Sequence, residues 1–198
     1  MKIIAVTGGS GCGKTLFTNL LVERLQKKTT VLPLDYYYKD KPYQIPNEKY
    51  DFDSPNAFDF DLYHKHLNLL NSGKSVRMPH FSYENGKREA GFTEIISEEY
   101  LVIEGLHVLF LSKIRELVSF SFFMDSPLEV AVCRRCIRDV HEYDVTAEYS
   151  LNQFLKFVRP SYFEYILPVK KYSDLVVENN FHTRLDLFIN DFLRKNQL

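Results

Sequence analysis

The sequence predicts an α/β protein in which a five-stranded parallel sheet is flanked by helices. Five short runs of aliphatic and aromatic residues are typical of buried strands, and helical patterns lie between most of them. Parallel strands need long crossover connections, so this alternation favours a parallel sheet covered on both faces. A length of 198 residues, 45% of them apolar, suits one domain with a full core. We therefore expect residues 1–198 to form a single domain.

Each predicted element follows from its local pattern. The predicted strands are Lys2–Val6, Thr30–Leu34, Tyr100–Ile103, Phe120–Met124 and Asp174–Val177. The predicted helices are Lys14–Lys27, Asp59–Asn71, Pro127–Val140, Ala147–Ile166 and Thr183–Lys195.

Two segments depart from the alternation of strands and helices. Val76–Ile95 alternates around Asn85-Gly86, which is a strong signal for a two-residue hairpin turn. We expect a β-hairpin, within residues 75–97, at the rim of the sheet. Lys39–Asn56 contains prolines and has no helical period, which predicts an ordered surface loop.

The connection between the first strand and the first helix carries the clearest motif. It consists of Gly8, Gly9, Ser10, Gly11, Cys12, Gly13, Lys14 and Thr15. In this G-x-x-x-x-G-K-[ST] pattern, backbone N–H groups surround a phosphate, the lysine adds a charge, and the hydroxyl can bind Mg²⁺. A flexible glycine turn beside a surface lysine is the alternative, which the flanking strand and helix disfavour. The pattern predicts the P-loop nucleoside triphosphate hydrolase fold and a bound nucleoside triphosphate.

Carboxylates follow three further predicted strands. Ligands of an open parallel sheet collect at the carboxyl ends of the strands, so these positions are candidates for a site. Glu104 stands where an acidic residue holds Mg²⁺, usually through water. Asp35 is a candidate proton acceptor, and the tyrosines at 36–38 either cradle a ring or cover the end of the sheet. Asp125 precedes Pro127 at a helix start, which favours a helix cap.

Composition and missing motifs exclude several classes of function. Lysine and arginine total 25 against 26 acidic residues, and no basic stretch is interleaved with aromatics, so we expect no nucleic-acid partner. No apolar run approaches the ~18 residues of a membrane span, and three cysteines do not make a disulfide framework. We therefore expect a cytoplasmic protein with no membrane partner. The N-K-x-D and D-x-x-G motifs of GTPases and the H-R-D and D-F-G motifs of protein kinases are absent.

Cys12 is the one cysteine in the glycine loop. It lies at a helix N-terminus, where the local field should favour the thiolate. We hypothesise that oxidation of this thiol blocks nucleotide binding.

Longer segments match one family in order and at comparable spacing. They are the glycine loop, Asp35–Asp40, Phe52–Asp59, Ile103–Gly105, Arg134–Val140, Gln153, Val158–Pro160 and Pro168–Asp174. With them the chain resembles the uridine kinases of the uridine kinase and phosphoribulokinase superfamily over nearly its whole length. The resemblance implies Mg²⁺-dependent phosphorylation of the 5′-hydroxyl of uridine or cytidine by ATP, a reaction of pyrimidine salvage. The residues themselves do not separate ATP from GTP.

The resemblance also assigns roles to individual residues. It implies that Asp35 is the general base, that Lys14 and Arg138 act on the phosphates, and that Thr15 and Glu104 support the metal. It implies acceptor contacts from Tyr38, Asp53, Phe81, Arg135 and Gln153, with residues 75–97 as a nucleoside-binding hairpin and 138–148 as a lid. The family is often tetrameric, and the hairpin and the aromatic residues could form the interface of a tetramer or a dimer. The sequence leaves the oligomeric state open.

The chain departs from the family in its lid. Uridine kinases usually continue R-D-x-x-E-R-G-R, whereas here Tyr143 and Val145 replace the two later arginines. Each arginine would have brought a bidentate charge, so we expect weaker stabilisation of the transition state by the lid. Lys170 and Lys171 could compensate, although such a pair is more often solvated surface.

Two acceptor-side departures keep other functions open. Phe81 stands where the family commonly has tyrosine, and Gly86 where animal enzymes carry a base-reading histidine, so pyrimidine selectivity is open. The alternatives are another small acceptor, nicotinamide riboside or a phosphopentose, and a nucleotide-binding regulator with impaired catalysis. A phosphopentose needs cations near the hairpin, for which Arg77, Lys87 and Arg88 are candidates.

Overall fold

The structure, a computed structural model, describes residues 1–25, 28–180 and 182–196. Its strands are β1 (Lys2–Gly8), β2 (Thr29–Pro33), β3 (Val76–Ser82), β4 (Lys87–Ile95), β5 (Tyr100–Glu104), β6 (Phe120–Asp125) and β7 (Leu175–Glu178). Its α-helices are α1 (Lys14–Leu25), α2 (Phe60–Asn71), α3 (Ser112–Arg115), α4 (Leu128–Glu142), α5 (Ala147–Gln153), α6 (Arg159–Ser161) and α7 (Leu185–Asn196). The last two residues of the first predicted helix, 26–27, lie outside the described residues.

The central sheet confirms the predicted architecture. Its five strands run parallel in the order β2-β5-β1-β6-β7. Side chains of β1 alternate between two cores, since Ile3 and Ala5 pack on one face and Ile4 and Val6 on the other. The first core also contains residues of α2 and the hairpin, and the second contains residues of α1 and α7. The carboxyl ends of β1, β2 and β5 therefore lie side by side at one edge.

The hairpin is present, but its turn differs from the prediction. β3 and β4 form a separate antiparallel pair that ends at Ser82 and Lys87, so residues 83–86 make a four-residue connection rather than a two-residue turn. The side chain of Asn47 explains the wider turn, because its amide donates to the carbonyls of Tyr83 (2.9 Å) and Glu84 (3.0 Å). The predicted surface loop is thus ordered and supports the hairpin tip.

The hairpin lies beside the edge strand of the sheet, as predicted. The hydroxyl of Thr30, in β2, donates to the carbonyl of Ile96 just past β4 at 3.0 Å. The segment after β2 packs under the hairpin, since Tyr38 contacts Phe81 with ring centroids 5.0 Å apart. One face of the hairpin is thereby directed at the carboxyl end of β2.

The long helix predicted at 147–166 is continuous but not uniform. Two π-helical turns, Phe154–Val158 and Tyr162–Ile166, flank the short α6, and a 3₁₀ segment, Leu167–Tyr172, follows. Pro160 lies in α6, and because proline has no N–H it cannot form the regular i→i−4 bond there. The regular α ladder is therefore interrupted around this residue.

The prediction of a helix cap at Asp125 is wrong. α4 begins after Pro127 without a side-chain cap. The Asp125 carboxylate instead forms an ion pair with Lys170 at 2.6 Å. Lys170 thus has a carboxylate partner, and its side chain remains 36% exposed.

Candidate active site

Two positions in the glycine loop between β1 and α1 have a backbone conformation that only glycine can adopt without a clash. Gly11 and Gly13 have φ values of +79° and +88°, in the left-handed region. A Cβ at Gly13 would lie 2.3 Å from Asn179 Nδ2, and one at Gly11 would lie 2.1 Å from the carbonyl oxygen of Ala131. The loop is therefore closely held by its neighbours. The Lys14 ammonium is folded over the loop and donates to the Gly9 carbonyl at 3.0 Å.

Asn179 is a structural support of this loop that sequence reasoning missed. It is buried, and its amide donates to the Cys12 carbonyl at 2.9 Å. Its own backbone carbonyl accepts from Ser126 at 2.6 Å and from Arg134 at 3.2 Å. Asn179 follows β7 directly, but the predicted strand ends one residue earlier, at Val177, so the rule for residues just past a strand would have singled out Glu178 instead.

The predicted metal residues are in contact. The Thr15 hydroxyl donates to Glu104 Oε1 at 3.1 Å. Glu104 ends β5, is buried, and pairs in register with Val6 of β1, which places its carboxylate beside the glycine loop. A hydroxyl and a carboxylate are hard oxygen donors of the kind that Mg²⁺ prefers, so this pair fits the ion.

Asp35 lies two residues beyond the end of strand β2, in the 3₁₀ turn Leu34–Tyr37. Its Oδ1 is buried and has no hydrogen-bond partner. Burial raises the pKa of Asp35 to about 6, while the positive charges of Lys14 and Arg138 lower it and Glu104 raises it further. An aspartate of ordinary pKa is a weak base for an alcohol, and this shift brings Asp35 closer to working pH. Oδ1 of Asp35 is thus unpartnered, and the carboxylate interacts electrostatically with the phosphate-loop lysine. Its raised pKa makes it a better proton acceptor.

Asp53 lies in the same electrostatic neighbourhood. Burial raises the pKa of Asp53, and the charges of Arg135, Lys14 and Arg138 oppose that rise. Its backbone carbonyl accepts from His107 Nε2 at 2.7 Å and from the Ser161 hydroxyl at 2.8 Å. These two buried bonds fix the segment that carries the carboxylate.

His107 is a second residue that sequence reasoning missed. It is fully buried, and burial lowers the pKa of His107 to about 4, so the ring is neutral near pH 7. Nε2 faces a carbonyl and therefore carries the proton. Its position three residues beyond Glu104, at the carboxyl end of β5, is the signal that could have found it.

The two predicted arginines of α4 share one buried carboxylate. Arg135 Nη1 donates to the Ser10 hydroxyl of the glycine loop at 2.7 Å, and its Nε lies 3.3 Å from Asp139 Oδ2. Arg138 donates to Asp139 Oδ1 at 2.8 Å, and the Ser150 hydroxyl donates to Oδ2 at 2.7 Å. Asp139 thus holds both guanidinium groups, and Arg135 is the one of the two that contacts the glycine loop.

The three tyrosines after Asp35 divide between both interpretations of the run. Tyr36 is exposed, and Tyr37 is buried in the core, where its hydroxyl is 2.7 Å from His66 Nδ1. Tyr38 is buried as well, and its ring packs in an aromatic cluster, which we call the ring pocket. Its members are Tyr38, Phe52, Phe58, Phe81 and Tyr83, with ring centroids 4.2–6.4 Å apart in the contacting pairs. One of the three tyrosines therefore contributes to the ring pocket.

Gln153, a predicted acceptor contact, binds the surface loop. Its side-chain amide donates to the Glu48 carbonyl at 3.1 Å.

Cys12 lies in the glycine loop but is buried among residues of the second core, and burial raises the pKa of its thiol. The expectation of a thiolate at Cys12 is therefore wrong, because desolvation outweighs the field of the loop and of Lys14.

Among the described residues, no helix is both long enough and apolar enough to cross a bilayer.

Sequence comparisons place the chain among known kinases. The model of the phosphoribulokinase / uridine kinase family matches residues 3–185. A uridine kinase of Borrelia turicatae is 32% identical over 195 residues, covering 98% of this chain and 95% of that protein. A uridine kinase of Cronobacter sakazakii is 34% identical over 194 residues, covering 94% of this chain and 91% of that protein.

Solved structures share the fold at lower identity. Phosphoribulokinase from Rhodobacter spheroides has a TM-score of 0.65 and 16% identity, covering 92% of this chain and 74% of that one. D-Glycerate 3-kinase from Cryptococcus neoformans has a TM-score of 0.62 and 14% identity, covering 89% of this chain and 86% of that one. These solved structures are of kinases named for different acceptors, so the fold alone does not identify the acceptor of a kinase.

Proposed function

This chain belongs to the phosphoribulokinase / uridine kinase family and is a kinase, and from that premise we propose that it phosphorylates the 5′-hydroxyl of uridine or cytidine with ATP, as in pyrimidine salvage. Relatives named uridine kinase that match nearly the full chain support this acceptor. We treat residues 1–198 as one kinase domain, with an inserted hairpin at 75–97 and a lid at 138–148.

The observation that carries the proposal is the buried, unpartnered Oδ1 of Asp35. A buried acceptor without a donor costs about 1–3 kcal/mol, and a hydroxyl group of a bound acceptor would satisfy it. The Asp35 carboxylate interacts electrostatically with Lys14 of the glycine loop and with Tyr38 and Tyr83 of the ring pocket. An alcohol bound at Oδ1 would therefore have a proton acceptor beside it and the charge of the phosphate-loop lysine acting on it.

The donor side supplies positioning and charge. Lys14 would leave the Gly9 carbonyl and bind the β- and γ-phosphates, while Arg138 would approach the transferred group from the lid. Thr15 and Glu104 are the residues that would hold Mg²⁺, which neutralises phosphate charge when bound. One charge pair at ~4 Å is worth about 4 kcal/mol at an effective dielectric near 20. Cations placed in this way can therefore account for much of the rate.

The acceptor side offers a ring face and polar groups for a sugar. Phe81, which is only partly buried, would stack on the pyrimidine, and the buried ring of Tyr38 supports it with ring centroids 5.0 Å apart. Arg135 donates to Ser10 of the glycine loop, and Asp53 interacts with the charges of Arg135 and Lys14, so these two residues would bind the ribose hydroxyls. Asp35 would orient the 5′-hydroxyl and accept its proton late in transfer.

A specific observation argues against a phosphopentose acceptor. Arg88 is occupied by Asp59 at 3.0 Å and by the Tyr38 carbonyl at 3.0 Å. Arg77 stacks on Phe92, with its guanidinium carbon 4.4 Å from the ring centroid. Lys87 lies with its Nζ 5.5 Å from the centroid of the Tyr43 ring, so all three cations that could hold a sugar phosphate already make contacts within the protein.

The proposal is tested by a panel of acceptors with ATP and Mg²⁺, scored for ADP release. We expect product with uridine and cytidine and none with ribulose 5-phosphate. Product with nicotinamide riboside alone would replace the pyrimidine acceptor while keeping the mechanism. ATP binding without turnover on any acceptor would instead support a nucleotide-binding regulator.

A further inference from the structure

The end of the lid helix reaches the hairpin through one aromatic side chain. Tyr143 follows α4, and its backbone N–H donates to the Asp139 carbonyl at 3.1 Å. Its ring centroid lies 6.1 Å from that of Tyr83 in the hairpin turn, and the Arg138 guanidinium carbon is 5.7 Å from the ring centroid. Tyr143 therefore connects the lid arginine with the ring pocket.

The backbone at this point keeps the shape that the family pattern requires. In R-D-x-x-E-R-G-R the glycine corresponds to Asp144, which has a φ of +52° in the left-handed region. Aspartate tolerates this conformation better than most residues. The turn after α4 is thus retained, while the arginine before it is replaced by a ring.

The Tyr143 phenol is in the electrostatic field of the proposed base. Burial is the main cause that raises the pKa of Tyr143, and Asp35 is among the carboxylates that raise it further. The Tyr143 residue is nevertheless 50% exposed, so its ring is partly free to contact a ligand. Its ring adjoins Tyr83 of the ring pocket, where the acceptor is proposed to bind.

We propose that Tyr143 is a specificity-determining residue of the lid, which together with Tyr83 covers the planar ring of the acceptor. This inference rests on the proposed function. In place of a second phosphate-binding charge, the chain has a π surface that contacts the part of the acceptor remote from the reacting hydroxyl. Acceptors with an aromatic ring are therefore favoured over sugars that lack one.

The first test compares Tyr143→Ala and Tyr143→Phe in steady-state assays with uridine and with ribose. Loss of a ring contact with Tyr83 and the acceptor should raise the KM for uridine about tenfold in Tyr143→Ala, with the KM for ATP changed less than about twofold. Tyr143→Phe keeps the ring and should stay within about twofold of the parent protein. The preference for uridine over ribose should fall about tenfold in the alanine variant only.

Tyr172→Ala is the matched control. Tyr172 is also half-exposed and also stacks with an arginine, Arg115, at 4.2 Å, but it lies outside the lid. Tyr172→Ala should change neither the KM for uridine nor the KM for ATP.

A second readout does not depend on phosphoryl transfer. The chain contains no tryptophan, so Tyr143→Trp introduces a single tryptophan at the lid, whose emission can be excited apart from that of the tyrosines. Saturable quenching or a spectral shift with uridine, and none with ribose, is expected.

The outcomes separate the two proposals. Normal uridine turnover with an unchanged KM in Tyr143→Ala, together with no fluorescence response in Tyr143→Trp, would overturn the role of Tyr143 and leave the kinase assignment intact. A fluorescence response to uridine without any turnover in the parent protein would overturn the proposed function alone. No uridine turnover in the parent protein, together with no fluorescence response in Tyr143→Trp, would overturn both the proposed function and the role of Tyr143.

Discussion

The proposed donor and acceptor sides of the candidate site are built in different ways. The donor side is a single stretch of backbone, the glycine loop, whose conformation leaves no room for a Cβ at Gly11 or Gly13. The acceptor side is assembled from side chains of several separate segments, with Tyr38, Tyr83 and Tyr143 coming from the end of β2, the hairpin turn and the lid. A backbone site tolerates little variation, whereas a side-chain site can be changed one residue at a time. The difference explains how one fold serves kinases named for different acceptors.

Removing the proposed base should separate the two sides most sharply. We expect Asp35→Asn to lower kcat at least ~100-fold, the lower end for general-base catalysis, while ATP affinity is retained. Turnover is measured by ADP release and ATP affinity by calorimetry. Near-normal turnover would show that Asp35 is not the base, and a parallel loss of ATP affinity would show that the two sides are not separable.

The same variant should be more stable than the parent at neutral pH. The folded-state pKa of Asp35 is raised to about 6, so the folded protein binds more protons than the unfolded chain between the ordinary aspartate pKa and 6, and stability falls as pH rises through that window. Asp35→Asn removes this penalty, for which a shift of about two units sets an upper bound of ~3 kcal/mol at pH 7.5. Urea unfolding at pH 7.5 and pH 4 measures it, with Asp61→Asn, an exposed partner of Lys113, as the control. An equal gain at both pH values would contradict the electrostatic cause.

The dependence of kcat/KM on pH should report the titration of Asp35 on the proposed acceptor side. Because the base must be deprotonated, kcat/KM is expected to fall about tenfold per pH unit below the Asp35 pKa of about 6. ATP affinity, followed over the same range, should change much less. A flat profile between pH 5 and 7 would exclude a titrating base with this pKa.

Asn179 offers a weaker perturbation of the donor side. Its amide bond to the Cys12 carbonyl supports the glycine loop, so Asn179→Ala should weaken ATP binding about fivefold to tenfold, the value of one buried hydrogen bond. The KM for uridine should not change. Asn68→Ala, on the exposed face of α2, serves as the control. An effect of Asn179→Ala on the acceptor alone would reverse the assignment of this residue.

The smallest effect is expected from thiol modification. Cys133 is exposed whereas Cys12 is buried with a raised pKa, so iodoacetamide should label Cys133 first and leave ATP affinity unchanged. Labelled sites are identified by peptide mass spectrometry. Early labelling of Cys12 with loss of ATP binding would restore the hypothesis of a redox-sensitive loop.

Local patterns predicted the sheet, the helices and the hairpin because each depends on residues near one another in sequence. The contact between Thr15 and Glu104 was also predictable, since both follow parallel strands at one edge. The exceptions depend on contacts between distant segments. Asn47 widens the hairpin turn from 36 residues away, and Lys170 takes the Asp125 carboxylate that was expected to cap a helix.

The contacts that hold the site residues in place could not be predicted from local sequence patterns, because they too join distant segments. His107 and Asn179 act through backbone carbonyls of Asp53 and Cys12, and no motif marks such bonds. The environment of the Cys12 thiol depends on desolvation, which only the packed structure defines. The roles of the remaining predicted site residues stay predictions until the variants are measured.

The two π-helical turns around α6 have a consequence for tolerance to changes in chain length. A π turn accommodates one residue more than an α turn, so each of these turns can lose a residue by reverting to α-helix without rotating the helix beyond it. Ser161 lies between them and must keep its direction to bond the Asp53 carbonyl. Shortening the Phe154–Val158 turn by one residue should therefore preserve that bond, whereas the same deletion within α4 would turn every later side chain of that helix by about 100°.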